Sequence, residues 1–76
     1  MPMQIEVHLF ATLRQGRFRQ KTLEVAPAST VADVCRQLVI GDGEAAILMV
    51  NGAAARGDQQ LAPGDEVALF PALGGG

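Results

Sequence analysis

The sequence predicts an α+β domain, a mixed sheet of four to five strands with one main helix across one face. An alternating stretch and a second strand-like stretch before residue 26, one block of helical periodicity after Thr30, and short turn-bounded apolar runs in the second half predict it. Met3 to Phe10 alternates cleanly: Ile5, Val7 and Leu9 share one face, and Gln4, Glu6, His8 and Phe10 the other. Arg14-Gln15-Gly16-Arg17 is polar and basic, with Gly16 as the turn point. Phe18 to Val25 reads as a second strand with Leu23 and Val25 inward.

Pro27 to Ser29 breaks that strand. Thr30 suits a helix N-cap, and Asp33 three residues later completes a capping arrangement and favours the positive helix end. Val31, Val34, Cys35 and Leu38 follow at the spacing of one helical face. Gly41-Asp42-Gly43 is expected to end the helix. Ala46 to Val50 is a short apolar strand, and Asn51-Gly52 tolerates the positive φ that a type I′ hairpin demands. A brief return strand through Ala53 to Ala55 follows, and Pro63-Gly64-Asp65 marks a tight turn. Glu66 to Phe70 is the last strand, with Val67 and Leu69 on one face. Pro71 is expected to stop it, because proline cannot donate to a ladder.

Composition excludes several function classes. The chain has 76 residues, 49% hydrophobic and 18% charged, which describes a folded globule rather than a disordered tail. A net charge of −2 argues against a nucleic-acid partner. One cysteine excludes an internal disulfide framework and a cysteine-built zinc site. No apolar run approaches the roughly 20 residues that span a bilayer, and no basic-then-apolar signal pattern opens the chain, so no membrane is expected and the cytoplasm is the expected location. With His8 as the only histidine and Lys21 as the only lysine, a self-contained nucleophile-and-base site has little to be built from. The chain is expected to act as a substrate, carrier or subunit, not as an enzyme alone.

Over nearly its whole length the sequence resembles the ubiquitin-like sulfur carriers. Leu9-Phe10-Ala11-Thr12-Leu13-Arg14 looks like the end of the first strand in small subunits of molybdopterin synthase. Thr30-Val31-Ala32-Asp33-Val34 resembles their helix start. Val50-Asn51-Gly52, then Leu61-Ala62-Pro63-Gly64-Asp65-Glu66-Val67, then Phe70-Pro71 and a final Gly75-Gly76 complete the match in order and spacing. Where such subunits often carry two prolines before the tail, Pro71 is followed here by Ala72. A third glycine, Gly74, makes the tail look more like the thiamine-pathway carrier. The resemblance implies a ubiquitin-like β-grasp over residues 1–71, with the first and last strands as central parallel neighbours, and a flexible glycine-rich tail over 72–76.

It implies a function as well. A C-terminal carboxylate is a poor electrophile at neutral pH. Adenylation by ATP makes one oxygen a leaving group, and sulfur from a persulfide then takes its place as a thiocarboxylate. Gly76 would carry the activated acyl group, with Gly74 and Gly75 threading partner channels that a Cβ would block. The stretch beyond Phe70 would reach roughly 20 Å when extended. No cofactor is expected on this chain, since ATP would be held by a ubiquitin-activating-type adenylyltransferase. A molybdopterin synthase large subunit, or another sulfur-accepting enzyme, would be the second partner. In the family, the positions matching Phe10 and Phe70 contribute to both contacts. Ile47 and Met49 are the third-strand residues expected beside them on the face away from the helix, with Arg14 at the edge to meet an acidic rim.

Three other readings stay open: a carrier feeding thiamine or another sulfur pathway, a ubiquitin-like protein modifier joined to lysines through Gly76, and an interaction module whose glycines are incidental. Cys35 reads as a small hydrophobe on the helix face. His8 reads as a surface imidazole, Lys21 as a solvated amine, and Asp42, Glu44, Asp58 and Asp65 as loop charges.

Overall fold

The structure, a computed structural model, describes residues 1–41 and 43–72. Its strands are β1 (Met3–Leu9), β2 (Gln20–Val25), β3 (Ala45–Val50), β4 (Ala53–Ala54) and β5 (Glu66–Pro71), and its helix is α1 (Val31–Gln37). They form one five-stranded sheet in the order β2-β1-β5-β3-β4. β1 and β5 run parallel in the middle, with Glu6 opposite Glu66 and Leu9 opposite Leu69. The other neighbouring pairs are antiparallel. The expected class and strand order are therefore observed.

The alternation of β1 decides which way the sheet faces. Ile5, Val7 and Leu9 are essentially sealed, and they meet Val67 and Leu69 of β5 and Val31 and Val34 of α1. Leu13, Val25, Ile40, Val50 and Leu61 close the rim of this core. Branched aliphatics suit it, because a chain this short must fill a thin space without voids. Cys35, Leu38 and Leu23 pack partly buried against it, on the faces the periodicity assigned.

β3 begins one residue early at Ala45 and β4 ends one residue early at Ala54, and four further boundaries differ from expectation. β1 ends at Leu9, not Phe10, because the chain turns there into a single 3-10 turn, Ala11–Arg14, that drops Leu13 into the core. β2 begins at Gln20 rather than Phe18. α1 ends a full turn before Gly41. Val39 takes φ 58°, its N–H bonds the Arg36 carbonyl at 3.1 Å, and the Ile40 N–H bonds that of Cys35 at 2.8 Å. That is a Schellman closure with valine where glycine is usual. Arg17 completes the end: its Nε and Nη2 donate to the Leu38 and Val39 carbonyls at 3.2 and 2.9 Å. The fourth difference is that β5 runs through Pro71, which sits buried opposite Ala45. A bulge at Ala46 of β3 breaks the register there, and a strand tolerates proline at such an irregularity.

The local signals hold. Thr30 Oγ1 accepts from the Asp33 N–H at 3.2 Å while Asp33 Oδ2 accepts from the Thr30 N–H at 2.8 Å, a reciprocal capping box. Asn51 and Gly52 have φ of 53° and 82°, as the two-residue hairpin requires. The Asn51 side chain also bonds Asp65 and the Glu66 N–H, both at 2.9 Å, tying the hairpin to the start of β5.

Candidate functional site

With Leu9 and Leu69 pointing inward, Phe10 and Phe70 must leave the opposite face. Their rings stack with centroids 4.2 Å apart and planes 10° from parallel. The Phe10 N–H bonds the Leu69 carbonyl at 3.2 Å, so the parallel ladder itself places one ring against the other. Ile47 is the register partner of Phe70 and Met49 that of Ala68. Ile47 is 48% exposed, one of few large apolar side chains left open among the described residues. Small Ala68 leaves a low shelf between the two aromatic rings and the rest of the face. Five sequence-predicted residues thus converge: Phe10, Phe70, Ile47 and Met49 form the apolar surface, and Arg14 borders it.

Arg14 is held in place. Its Nε donates to the Leu9 carbonyl at 2.8 Å, and its guanidinium carbon lies 5.6 Å from the Phe10 ring centroid. The 3-10 turn fixes it there by burying Leu13 one residue earlier. Arg14 and Arg19 both line a shallow hollow of about 300 Å³ between the Phe10 ring and His8. The apolar shelf therefore has a basic border on this side.

The rest of the open face is polar. Glu6 and His8 project from β1, and Glu66 from the start of β5. His8 Nε2 lies 3.0 Å from Glu6 Oε1 and 3.2 Å from Glu66 Oε2. Hydrogen bonds from His8 and Gln20 hold the Glu6 carboxyl below the usual carboxylate range. The sequence showed Glu6 and His8 on one face, but Glu66 joins them only through the β1–β5 register. Cys35 lies on the helix side, where burial pushes its thiol up and keeps it a poor nucleophile.

Gly74, Gly75 and Gly76 lie outside the described residues, as does Asp42. β5 ends at Pro71, one residue past Phe70, so the last described strand finishes beside the aromatic shelf. Among the described residues no helix is long and apolar enough to cross a membrane.

The comparisons agree with this architecture. The chain resembles the H. volcanii small archaeal modifier protein 1, with 31% identity, a TM-score of 0.77, and coverage of 93% of this chain and 99% of that one. A putative molybdopterin converting factor subunit 1 from Pyrococcus furiosus is 25% identical, with a TM-score of 0.74 over 93% of this chain and 99% of that one. The Caldiarchaeum subterraneum ubiquitin is 25% identical over the full length of both chains, with a TM-score of 0.65. No curated protein matches significantly. Residues 7–76 match the ThiS family. A match that runs from the second half of β1 to Gly76, on a ubiquitin-like sheet, shows that the chain belongs to the ThiS family of ubiquitin-like sulfur carriers.

Proposed function

We propose that this chain carries sulfur as a thiocarboxylate on Gly76, for molybdopterin synthesis, as the small subunit of a molybdopterin synthase. The observation that carries the reading is the placement of the last strand: β5 brings Phe70 onto Phe10 and ends at Pro71, beside that same shelf. A partner that grips the shelf receives the tail with it. Membership of the ThiS family and the likeness to a molybdopterin converting factor subunit 1 support the chemistry and the pathway.

The steps follow from the carboxylate. An activating enzyme transfers AMP from ATP to the Gly76 carboxylate and releases pyrophosphate. A persulfide sulfur displaces AMP, and a thiol cleaves the resulting S–S bond, leaving C(=O)S⁻ on Gly76. The chain's own part is to dock and to present the tail. Phe10, Phe70, Ile47 and Met49 supply apolar contact, and Arg14 meets acidic groups on the partner. ATP belongs to the activating enzyme. Ordering the tail costs entropy, which the shelf offsets.

The test uses a Cys35→Ala variant incubated with ATP, an adenylating enzyme and a sulfur donor, then treated with a thiol-directed alkylating agent. ATP-dependent label on Gly76 is expected, and its loss when Gly75 and Gly76 are removed. Sulfur transfer that survives the removal defeats the proposal. The likeness to a small archaeal modifier favours a second reading, conjugation of Gly76 to lysines. An isopeptide product with no alkylatable thiocarboxylate would establish that reading instead.

A further inference from the structure

The polar half of the open sheet face holds a cluster that sulfur carriage does not use. Glu6 and His8 are two residues apart on β1 and so share a face, while Glu66 is the register partner of Glu6 on the adjacent parallel strand. His8 Nε2, a Glu6 oxygen and a Glu66 oxygen all lie within 4.8 Å of one another. The imidazole is the more sheltered member, 24% exposed, against 39% for Glu6 and 54% for Glu66. β1 and β5 are interior strands, each paired on both sides, so the three donors stand on well-held backbone.

Two carboxylates placed directly opposite across a ladder repel each other. The sequence nevertheless puts both there and aims one nitrogen between them. A single N–H on Nε2 can form a good hydrogen bond to only one of the two oxygens at a time. A cation at that point would satisfy both oxygens and the nitrogen together. The nitrogen–oxygen separations of 3.0 and 3.2 Å are close to the roughly 3.4 Å between ligands of a tetrahedral zinc ion with bonds near 2.1 Å. Both nitrogen–oxygen separations are thus within a few tenths of an ångström of that spacing, and the two carboxylate oxygens lie within 4.8 Å of each other. One imidazole and two carboxylates make three protein ligands, which leaves a fourth position directed away from the sheet. Gln20, the register partner of His8 on β2, shares that face of the sheet and would orient a carboxylate as an outer-shell group.

We propose that Glu6, His8 and Glu66 form a divalent-cation site of the zinc class, with His8 bound through Nε2 and one position open to solvent. The site stands whether or not Gly76 carries sulfur, because no part of the argument uses the tail.

The experiment uses the full, untagged chain in a Cys35→Ser background, so that no thiol competes for the metal. Zn²⁺ is titrated calorimetrically and by backbone and histidine-ring NMR, and Co²⁺ serves as a paramagnetic probe. A single saturable site is expected, with shifts centred on the His8 ring and the amides of residues 6, 8 and 66, and Co²⁺ broadening the same signals. His8→Gln and Glu66→Gln are each expected to weaken Zn²⁺ binding at least about tenfold while keeping a dispersed spectrum. The wild-type ring signals give a readout that needs no variant to fold. The proposal is overturned by a failure to saturate up to about 1 mM Zn²⁺, by wild-type affinity in either variant, or by shifts centred elsewhere.

Discussion

Asp33 combines two functions in one carboxylate: it accepts the Thr30 N–H at the start of α1 and pairs with Arg36 one turn on. The bond from the Thr30 backbone, then that from its hydroxyl and the charge of Arg36, hold the Asp33 carboxyl below the usual aspartate value. A pKa lower in the folded than in the unfolded chain means that the unfolded chain takes up the proton first on acidification. The stabilisation is thus complete above the unfolded value of about 4 and is lost as pH falls through the lower folded value. Urea midpoints of the parent and Asp33→Asn are therefore expected to differ most near pH 7 and to converge toward pH 2. A gap that persists at pH 2 would show that Asp33 acts through something other than its charge. The pair was legible in the sequence because Thr30 and Asp33 need only each other. Arg17 was not: it read as part of a polar turn, and its partners, the Leu38 and Val39 carbonyls, are 21 and 22 positions away.

The end of α1 is where the elements depart most from the pattern. Periodicity marked Leu38 as the last inward position and glycines at 41 and 43 as the stop, yet the closure falls at Val39. A β-branched side chain in the left-handed region carries strain of order 1–2 kcal/mol. Val39 is 80% exposed, so little packing is gained in return. Val39→Gly is expected to raise stability by about 1 kcal/mol, after allowing for the extra freedom glycine has when unfolded. In a domain of this size that is a rise of about 4–8 °C in Tm, readable by calorimetry. A fall in Tm would mean that Val39 contributes contacts the exposed surface conceals. The sheet ends depended on neighbours in the same way. Nothing within Glu66–Pro71 shows that a bulge at Ala46 will let proline join the strand, and nothing within Met3–Phe10 shows that Leu13 will be drawn into the core.

At the scale of the molecule, one face of the sheet is consumed by α1 and the core, and the other is split into an apolar shelf and a charged cluster. Alternation made the first half of that statement readable for β1, β2 and β5, whose inner residues it singled out. The second half needed the order of strands. Phe10 and Phe70 were singled out as outward residues, but their stacking at 4.2 Å follows from the parallel β1–β5 register, and the place of Ile47 beside Phe70 from the antiparallel β3–β5 register. Removing one ring is a clean probe of the shelf, because Phe70 is only half-buried and its loss opens no core cavity. Phe70→Ala is expected to cost roughly 0.5–1.5 kcal/mol of stability from the lost stack. The Kd for the activating enzyme should rise about ten- to a hundredfold, as for a central aromatic anchor. Unchanged affinity with the fold intact would place docking elsewhere. The central parallel pair has a mechanical consequence. Met3 begins β1 at one end of the sheet, and Pro71 finishes β5 at the other. Tension applied between the two termini would slide these strands lengthwise, so their hydrogen bonds would have to break together rather than unzip one at a time. A machine that pulls on the tail while the other terminus is held would load this seam in shear, the direction in which a ladder gives way least readily.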